Sequence, residues 1–127
     1  MKKIVAIFVC AFVGSALRYL LTPIGDPNHL LTIMAINVIG CFFLPLVTGA
    51  LPLILPVAPH VVTGLSVGLV GSFTTYSTFS VDTVHLLQQH AYGPAVLYVS
   101  GTLLLGWLAA SLSLRIAKHL VKEDRGL

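Results

Sequence analysis

The stretch that decides the fold runs from Gly71 to Ser80 and reads GSFTTYSTFS. It follows a segment of apolar and small residues and lies inside a long hydrophobic run. Glycine weakens a helix, and both Gly68 and Gly71 stand where the hydroxyl side chains begin. The pattern therefore predicts a membrane helix that is interrupted near Gly71. Irregular backbone is tolerated at membrane depth only where it is buried in protein or lines a wet cavity.

The composition around this stretch is that of a membrane protein. Hydrophobic residues make up 57% of the 127 residues and charged residues only 9%, whereas soluble domains carry about 25% charged residues. So few charges cannot cover a globule with a solvated surface, which excludes a soluble enzyme and a disordered chain. A membrane span needs about 20 apolar residues, and the apolar runs predict four helices, at about 4–21, 30–50, 60–89 and 95–116. The predicted fold class is all-α: a single transmembrane domain over residues 1–127 with a broken third helix.

The basic residues lie mostly at the two ends of the chain. The net charge is +3, and the seven basic residues are Lys2, Lys3, Arg18, Arg115, Lys118, Lys122 and Arg125. Terminal basic clusters on an apolar chain anchor helix ends among lipid headgroups, so we expect a lipid bilayer and no nucleic acid as partner. Four spans put both termini on one side, and the positive-inside rule makes that side the cytoplasm. We expect a multi-pass protein of the cell inner (plasma) membrane, with Arg18 near the opposite interface.

Polar side chains lie at membrane depth in two of the predicted helices. Asn37 stands in the middle of the second helix, and the third carries hydroxyls at Thr74, Thr75, Ser77, Thr78 and Ser80. Ser and Thr often bond back to their own helix, and Asn37 suits helix-to-helix packing as well as the lining of a pore. Amides and hydroxyls released by a helix break would donate to an anion, whereas released carbonyls would bind a hard monovalent cation.

Three aromatic residues, Phe73, Tyr76 and Phe79, recur at every third position of the same stretch. Ordinary packing explains such a stripe in a generic helix. A functional explanation uses the electropositive edge of an aromatic ring. Ring edges that face a narrow path can contact an anion without a full charge that would trap it. On the residues alone, both interpretations remain open.

With these features, the sequence resembles the CrcB/Fluc fluoride channels over nearly its whole length. The strongest match is the stretch 68–80, which looks like the glycines and the TTFSTFS-type helix break of that family. The other helices match through residues 14–19 (GSALRY), residues 37–42 (NVIGCF), and the set Tyr98, Thr102 and Gly106.

The resemblance implies a fold, a function and a set of site residues. It implies a fluoride-specific channel that exports cytoplasmic fluoride passively, through pores at the interface of an antiparallel homodimer. It also implies a structural sodium ion that is held by the backbone carbonyls of Gly71 and Thr74. Arg18 corresponds to the first-helix arginine of the family, and Asp82 corresponds to the carboxylate after the break. The implied pore residues are Asn37, Tyr76, Ser77, Thr78, Phe79 and Thr102.

Four positions depart from the family pattern, and none of them removes the helix break. Tyr76 replaces the first pore phenylalanine, and Asp82 replaces a glutamate. Thr102 stands for a serine, and Ile33 falls where the family has a threonine, with Thr32 adjacent.

The charge distribution is a further departure. Six of the seven basic residues are terminal and one is not, whereas a chain that inserts in both orientations needs nearly balanced ends. The alternative to a homodimer is therefore a pair with a paralogous second subunit, in which each chain has a fixed orientation.

Two other functions remain as alternatives. A small proton-coupled multidrug exporter has a similar size, but it needs a carboxylate well inside the membrane, and only Asp82 lies within a predicted helix. A noncatalytic membrane assembly subunit would use the polar stretch as helix glue. An enzyme is not expected, because the sequence has no Ser/His/Asp, paired-carboxylate or HExxH arrangement. Cys10 and Cys41 lack metal-ligand spacing and are expected to be inert thiols.

Overall fold

The computed structural model describes residues 1–124, and these residues form helices and no strand. Residues 125–127, with the basic Arg125, lie outside the described part. Five helices follow one another along the described chain: α1 (Lys2–Leu21), α2 (His29–Ile54), α3 (59–73), α4 (Tyr76–Gln88) and α5 (Tyr92–Asp124). The prediction of an all-α fold is confirmed.

Three of these helices, α1, α2 and α5, are long and apolar enough to cross a membrane. The third predicted span is instead divided between α3 and α4, and neither half alone reaches the roughly 20 residues that a crossing needs. The halves are separated at Thr74 and Thr75, whose backbones are extended. Gly71 itself is still helical, so the interruption lies three residues after the expected position.

The boundaries of two helices differ from the sequence expectation. Helix α2 continues to Ile54 rather than ending near residue 50, because a π-helical turn over Leu46–Ala50 is followed by a last α-helical turn. Pro52 lies at the start of that last turn, where a missing N–H is tolerated. Helix α5 begins at Tyr92 rather than near residue 95, since Pro94 also falls in a first turn. It extends well beyond residue 116, to Asp124.

The loop before α2 is fixed by the carboxylate of Asp26. Its Oδ2 accepts a hydrogen bond from Thr32 Oγ1 at 2.7 Å, and its Oδ1 accepts one from the Asn28 backbone N–H at 2.8 Å. The Thr32 hydroxyl, the Asn28 amide and the nearby His29 hold the pKa of Asp26 below its ordinary value. These bonds set where α2 begins, and thus where the side chain of His29 projects.

Small residues allow α1 to lie directly against α3. A second π-helical segment, Gly64–Val70, forms most of that contact. A Cβ atom on Gly68 would lie 2.7 Å from the carbonyl oxygen of Ile7, and one on Gly14 would overlap the carbonyl oxygen of Leu69. Close backbone approach of this kind is typical of helix packing in membranes. The contact fixes α3, and therefore the helix break, relative to α1.

Helix α2 packs along α5 on the other side of the molecule. Ile33 and Ile36 are almost fully buried there, at 1% and 2% exposure. Most large hydrophobic side chains are exposed, among them Phe8, Phe12, Leu97 and Trp107. A surface with this many exposed apolar side chains suits lipid or a partner subunit rather than water.

We expect Gly14→Ala to destabilise the protein by about 1–3 kcal/mol, the usual cost of overpacking. The added methyl group has to displace the Leu69 backbone of α3, which cannot move away as the end of a flexible side chain can. Thermal unfolding of the detergent-solubilised protein, followed by circular dichroism, measures the loss. The control is Gly93→Ala in the first turn of α5, where a Cβ meets nothing within 4 Å. Equal unfolding temperatures for the two variants would contradict the close α1–α3 contact.

Candidate functional site

The helix break is held open by one side-chain amide. The backbone N–H of Thr75 donates to Oδ1 of Asn37 at 2.8 Å, and Nδ2 of Asn37 donates to the backbone carbonyl of Thr75 at 3.0 Å. The side chain of Asn37 thus satisfies both backbone groups of a buried residue that has left the helix. Thr75 is only 4% exposed, and at such a position unpaired backbone groups would be costly.

The hydroxyl of Thr75 then starts the next helix. Its Oγ1 accepts a hydrogen bond from the Thr78 backbone N–H at 3.1 Å, which is the usual N-cap arrangement. The same hydroxyl donates to Oγ1 of Thr78 at 2.9 Å and lies 3.3 Å from Oγ of Ser77. Three hydroxyls are therefore linked at the N-terminus of α4, where the helix dipole favours negative charge.

Several backbone carbonyls lose their helical donors at the break, among them those of Gly71 and Thr74. In an unbroken helix the Gly71 carbonyl would receive the Thr75 N–H, and the Thr74 carbonyl would receive the Thr78 N–H. The first of these amides donates to Asn37 and the second to the Thr75 hydroxyl. The carbonyls of Gly71 and Thr74 are the two that the family resemblance implies as sodium ligands.

The side chain of Arg18 reaches the break. Its Nη1 donates to the Thr74 carbonyl oxygen at 3.2 Å, across the contact between α1 and α3. A carbonyl oxygen has two lone pairs, so one acceptor direction of Thr74 remains. The guanidinium group also brings a fixed positive charge to the break.

A groove of about 540 Å³ runs beside the break, between α2 and α5, and is open on one side. Of the residues predicted from the sequence, the groove brings together Asn37, Gly71, Thr74, Tyr76, Phe79 and Thr102. The remaining wall is mostly apolar, with Cys41, Leu103 and Trp107 among its members. Ser77 and Thr78 do not line the groove, but they are bonded to Thr75, which does.

Hydrogen bonds decide which of these polar groups can still donate. The hydroxyl proton of Thr102 goes to the carbonyl of Tyr98 at 2.7 Å, within its own helix. That leaves Thr102 only its lone pairs to offer to the groove. Asn37 has two amide protons and uses one of them on Thr75. The second amide proton of Asn37 therefore remains as a donor beside the groove.

The aromatic residues form a chain that leads to a buried carboxylate. The rings of Tyr76 and Phe79 have centroids 6.1 Å apart, and those of Phe79 and Tyr98 are 5.2 Å apart. Tyr98 donates its hydroxyl to Oδ2 of Asp82 at 3.3 Å, and Nε2 of His29 lies 3.3 Å from Oδ1. Asp82, which is 8% exposed, thereby joins α2, α4 and α5 beneath the ring of Phe79.

Three residues of this arrangement have no assigned role in the sequence analysis. Thr75 is one of several hydroxyls in a row, and only the Thr-x-x-Thr spacing to Thr78 marks it as a helix cap. Tyr98 belongs to the fourth-helix pattern, but its bond to Asp82 follows from the tertiary fold. His29 lies at a helix start and is distant from Asp82 in the chain, so no local pattern connects the two.

Comparisons with known proteins confirm the family resemblance. The family model described as "CrcB-like protein, Camphor Resistance (CrcB)" matches residues 5–114. A protein of Bacillus cereus named fluoride-specific ion channel FluC 1 is 35% identical over 129 residues, which covers 97% of this chain and 90% of the relative. A protein of Lactiplantibacillus plantarum named fluoride-specific ion channel FluC 2 is 44% identical over 110 residues, which covers 86% of this chain and 87% of the relative.

The matched region contains α1, α2, both halves of the broken span and most of α5, so the similarity includes every element of the groove. The three uninterrupted spans identify a multi-pass membrane protein. The chain belongs to the CrcB family.

Proposed function

We propose that this chain forms a fluoride-specific channel that exports cytoplasmic fluoride by passive conduction across the cell inner membrane. The observation that carries the proposal is the helix break beside the groove, where amide and hydroxyl donors collect without a Lys side chain. Relatives named as fluoride-specific ion channels match this chain over nearly its whole length. The terminal basic residues favour cytoplasmic termini for this chain, and in an antiparallel pair the second copy has the opposite orientation.

A fluoride ion has to exchange its hydration shell for donors of the protein. The second amide proton of Asn37 and the hydroxyls of Ser77 and Thr78 are the donors proposed for this exchange. They lie at the N-terminal end of α4, whose dipole adds a partial positive charge. Several weak donors favour conduction over trapping. The neutral ring edges of Phe79 and Tyr76 extend the path without adding a fixed charge.

The groove of one chain would form only half of the proposed fluoride path. It is open on one side, and Tyr76 beside it is 82% exposed. Trp107, at the other wall, is 67% exposed. A second copy packed against this face would enclose the groove and cover both rings, which supports the antiparallel homodimer. A paralogous second subunit would serve the same purpose and would also account for the excess of charge at the termini.

A structural sodium ion fits the same break. Unwound backbone carbonyls coordinate Na⁺ in membrane proteins, and one chain offers the released carbonyls of Gly71 and Thr74. Two oxygens are too few for a hard cation, so a second copy has to supply the other ligands. Arg18, bonded to the Thr74 carbonyl, holds that carbonyl in place and weakens cation binding through its own charge.

A proton-coupled exporter is less well supported by the structure. Its mechanism needs a carboxylate that exchanges protons with the transport path. Asp82 is buried and is bonded to Tyr98 and His29. It does not line the groove beside the break.

Fluoride efflux from liposomes that contain the purified chain tests the proposed function and the role of Phe79. We expect Phe79→Ile to reduce the efflux rate about tenfold, since a rise of about 1.4 kcal/mol in the barrier to conduction corresponds to that factor. Tyr76→Phe should conduct as well as the parent, because the ring edge is retained. The matched control is Phe8→Ile, at a ring on α1 that is 75% exposed and does not line the groove.

Two results of the efflux assay would contradict the proposal. A parent protein that releases no fluoride, either alone or with a second subunit, would remove the channel function. Equal efflux by the Phe79→Ile and Phe8→Ile variants would leave the channel function standing but remove the ring edge from the path.

A separate measurement tests the sodium site. We expect the unfolding temperature of the detergent-solubilised protein to rise with sodium concentration, relative to N-methyl-D-glucamine at the same ionic strength, because a ligand that binds only the folded state stabilises it. Asn37→Ala removes both hydrogen-bond partners of the Thr75 backbone, so the break no longer holds the released carbonyls in place and this variant should lose the sodium dependence. It should also lose about 1–3 kcal/mol of stability, since it leaves buried backbone groups unpaired.

The control for the sodium experiment is Asn28→Ala, in the exposed loop before α2, whose side chain makes no contact with the break. This variant should keep the full sodium dependence. A sodium effect that is equally large in the Asn37→Ala variant would show that the ion binds elsewhere, and no effect in the parent would remove the structural sodium altogether.

A further inference from the structure

A basic face at the end of α5 lies beside an apolar groove, at a distance from the fluoride path. Arg115, Lys118, His119 and Lys122 line one cleft of about 540 Å³. Their spacing of three, four and seven residues puts them on one side of the helix. The groove beside the helix break shares no lining residue with this cleft.

Helix length puts this basic face at the level of the lipid headgroups. Helix α5 has 33 residues, which is about 50 Å at 1.5 Å per residue, whereas the hydrocarbon core of a bilayer is about 30 Å thick. Residues 92–114 carry no Asp, Glu, Lys or Arg, and this part alone spans roughly 35 Å. Arg115 is therefore the first charge beyond the hydrocarbon, and the cluster follows it outward.

The apolar groove continues from the basic cleft toward the membrane interior. It has a volume of about 700 Å³ and lies between the end of α2 and the end of α5. Its wall is formed by Gly49, Leu53, Leu114, Ala117 and Val121, together with Lys118 and Lys122. These two lysines line both the groove and the cleft. An occupant that touches them with a negative group would have room for an apolar chain directly beside that group.

The π-helical turn of α2 creates the open space in this groove. Gly49 lies in the turn Leu46–Ala50, and a Cβ atom on it would meet nothing within 4 Å. The absence of a side chain at Gly49 leaves the part of the groove next to it empty of protein atoms.

We propose that this groove and cleft together bind one anionic phospholipid, with its phosphate between Lys118 and Lys122 and an acyl chain along Gly49 and Leu53. Charge complementarity favours an anionic headgroup over a zwitterionic one, since basic pockets between membrane helices bind anionic headgroups. The apolar wall favours a lipid over free phosphate, because free phosphate has no apolar chain to pack against it. In an antiparallel pair, one such site would face each leaflet.

Native mass spectrometry of the purified full-length chain tests the proposal, with dioleoylphosphatidylglycerol as the probe and dioleoylphosphatidylcholine as its zwitterionic counterpart. The parent should retain phosphatidylglycerol in preference to phosphatidylcholine, and inorganic phosphate should not displace it. Lys118→Gln should weaken retention about fivefold and the Lys118→Gln/Lys122→Gln pair about 30-fold, from the attraction of roughly 1 kcal/mol per basic residue. The matched control is Lys3→Gln, which removes one positive charge outside the groove and the cleft and should leave retention unchanged.

A second variant separates the groove from simple charge attraction. Gly49→Leu extends a side chain into the groove from a Cβ position that meets nothing within 4 Å, and it keeps every basic residue, so it should lose the lipid as the lysine variants do. The proposal is overturned if Gly49→Leu retains the lipid like the parent, if Lys3→Gln weakens retention as much as Lys118→Gln, or if phosphatidylcholine is retained equally. It is also overturned if Gly49→Leu changes only the dimer fraction in the same spectra, because the groove would then be a contact between copies.

Discussion

The two hydrogen bonds between the Asn37 amide and the backbone of Thr75 are the constraint on which the site depends. They take one N–H and one C=O out of the helical ladder and satisfy both in a buried position. A chain can leave helical geometry at membrane depth only if its backbone groups find such partners. Because Asn37 comes from a different helix, the break exists only when α2 and the third span are packed together. Fold and site are therefore inseparable in this protein.

The helix break creates different chemical environments on its two sides. Before it, the carbonyls of Gly71 and Thr74 lose their donors, which makes that side attractive to a cation. After it, the capped N-terminus of α4 presents hydroxyls and a helix dipole, which makes that side attractive to an anion. The Arg18 guanidinium, bonded to the Thr74 carbonyl, adds a positive charge on the first of these sides. A single local interruption thus produces neighbouring regions of opposite preference without any buried carboxylate or lysine in the groove wall.

The sequence predicted the architecture well because apolar run length and hydroxyl clustering are local signals. The existence of the third-helix break was within reach of that analysis, whereas the pairing of Asn37 with Thr75, which joins two helices, was not. The two π-helical turns could not be predicted in this way, because they depend on how the helices pack. Gly68, for example, lies too near α1 for any larger residue. The hydrogen bond from Arg18 to the Thr74 carbonyl and the contact of His29 with Asp82 join residues that are far apart in the chain. Such pairs depend on how the helices are arranged, which no local spacing encodes.

The division of the third span also determines the order in which the protein can be completed. Helix α3 packs against α1 and α2, and both of these helices precede it in the chain. Helix α4, with its hydroxyls and Asp82, needs α5, and α5 is synthesised last. During synthesis the first half of the span can therefore dock at once, whereas the polar half has to wait for the final helix. A ribosome that stalls before α5 would leave α4 without Tyr98, which bonds to its carboxylate.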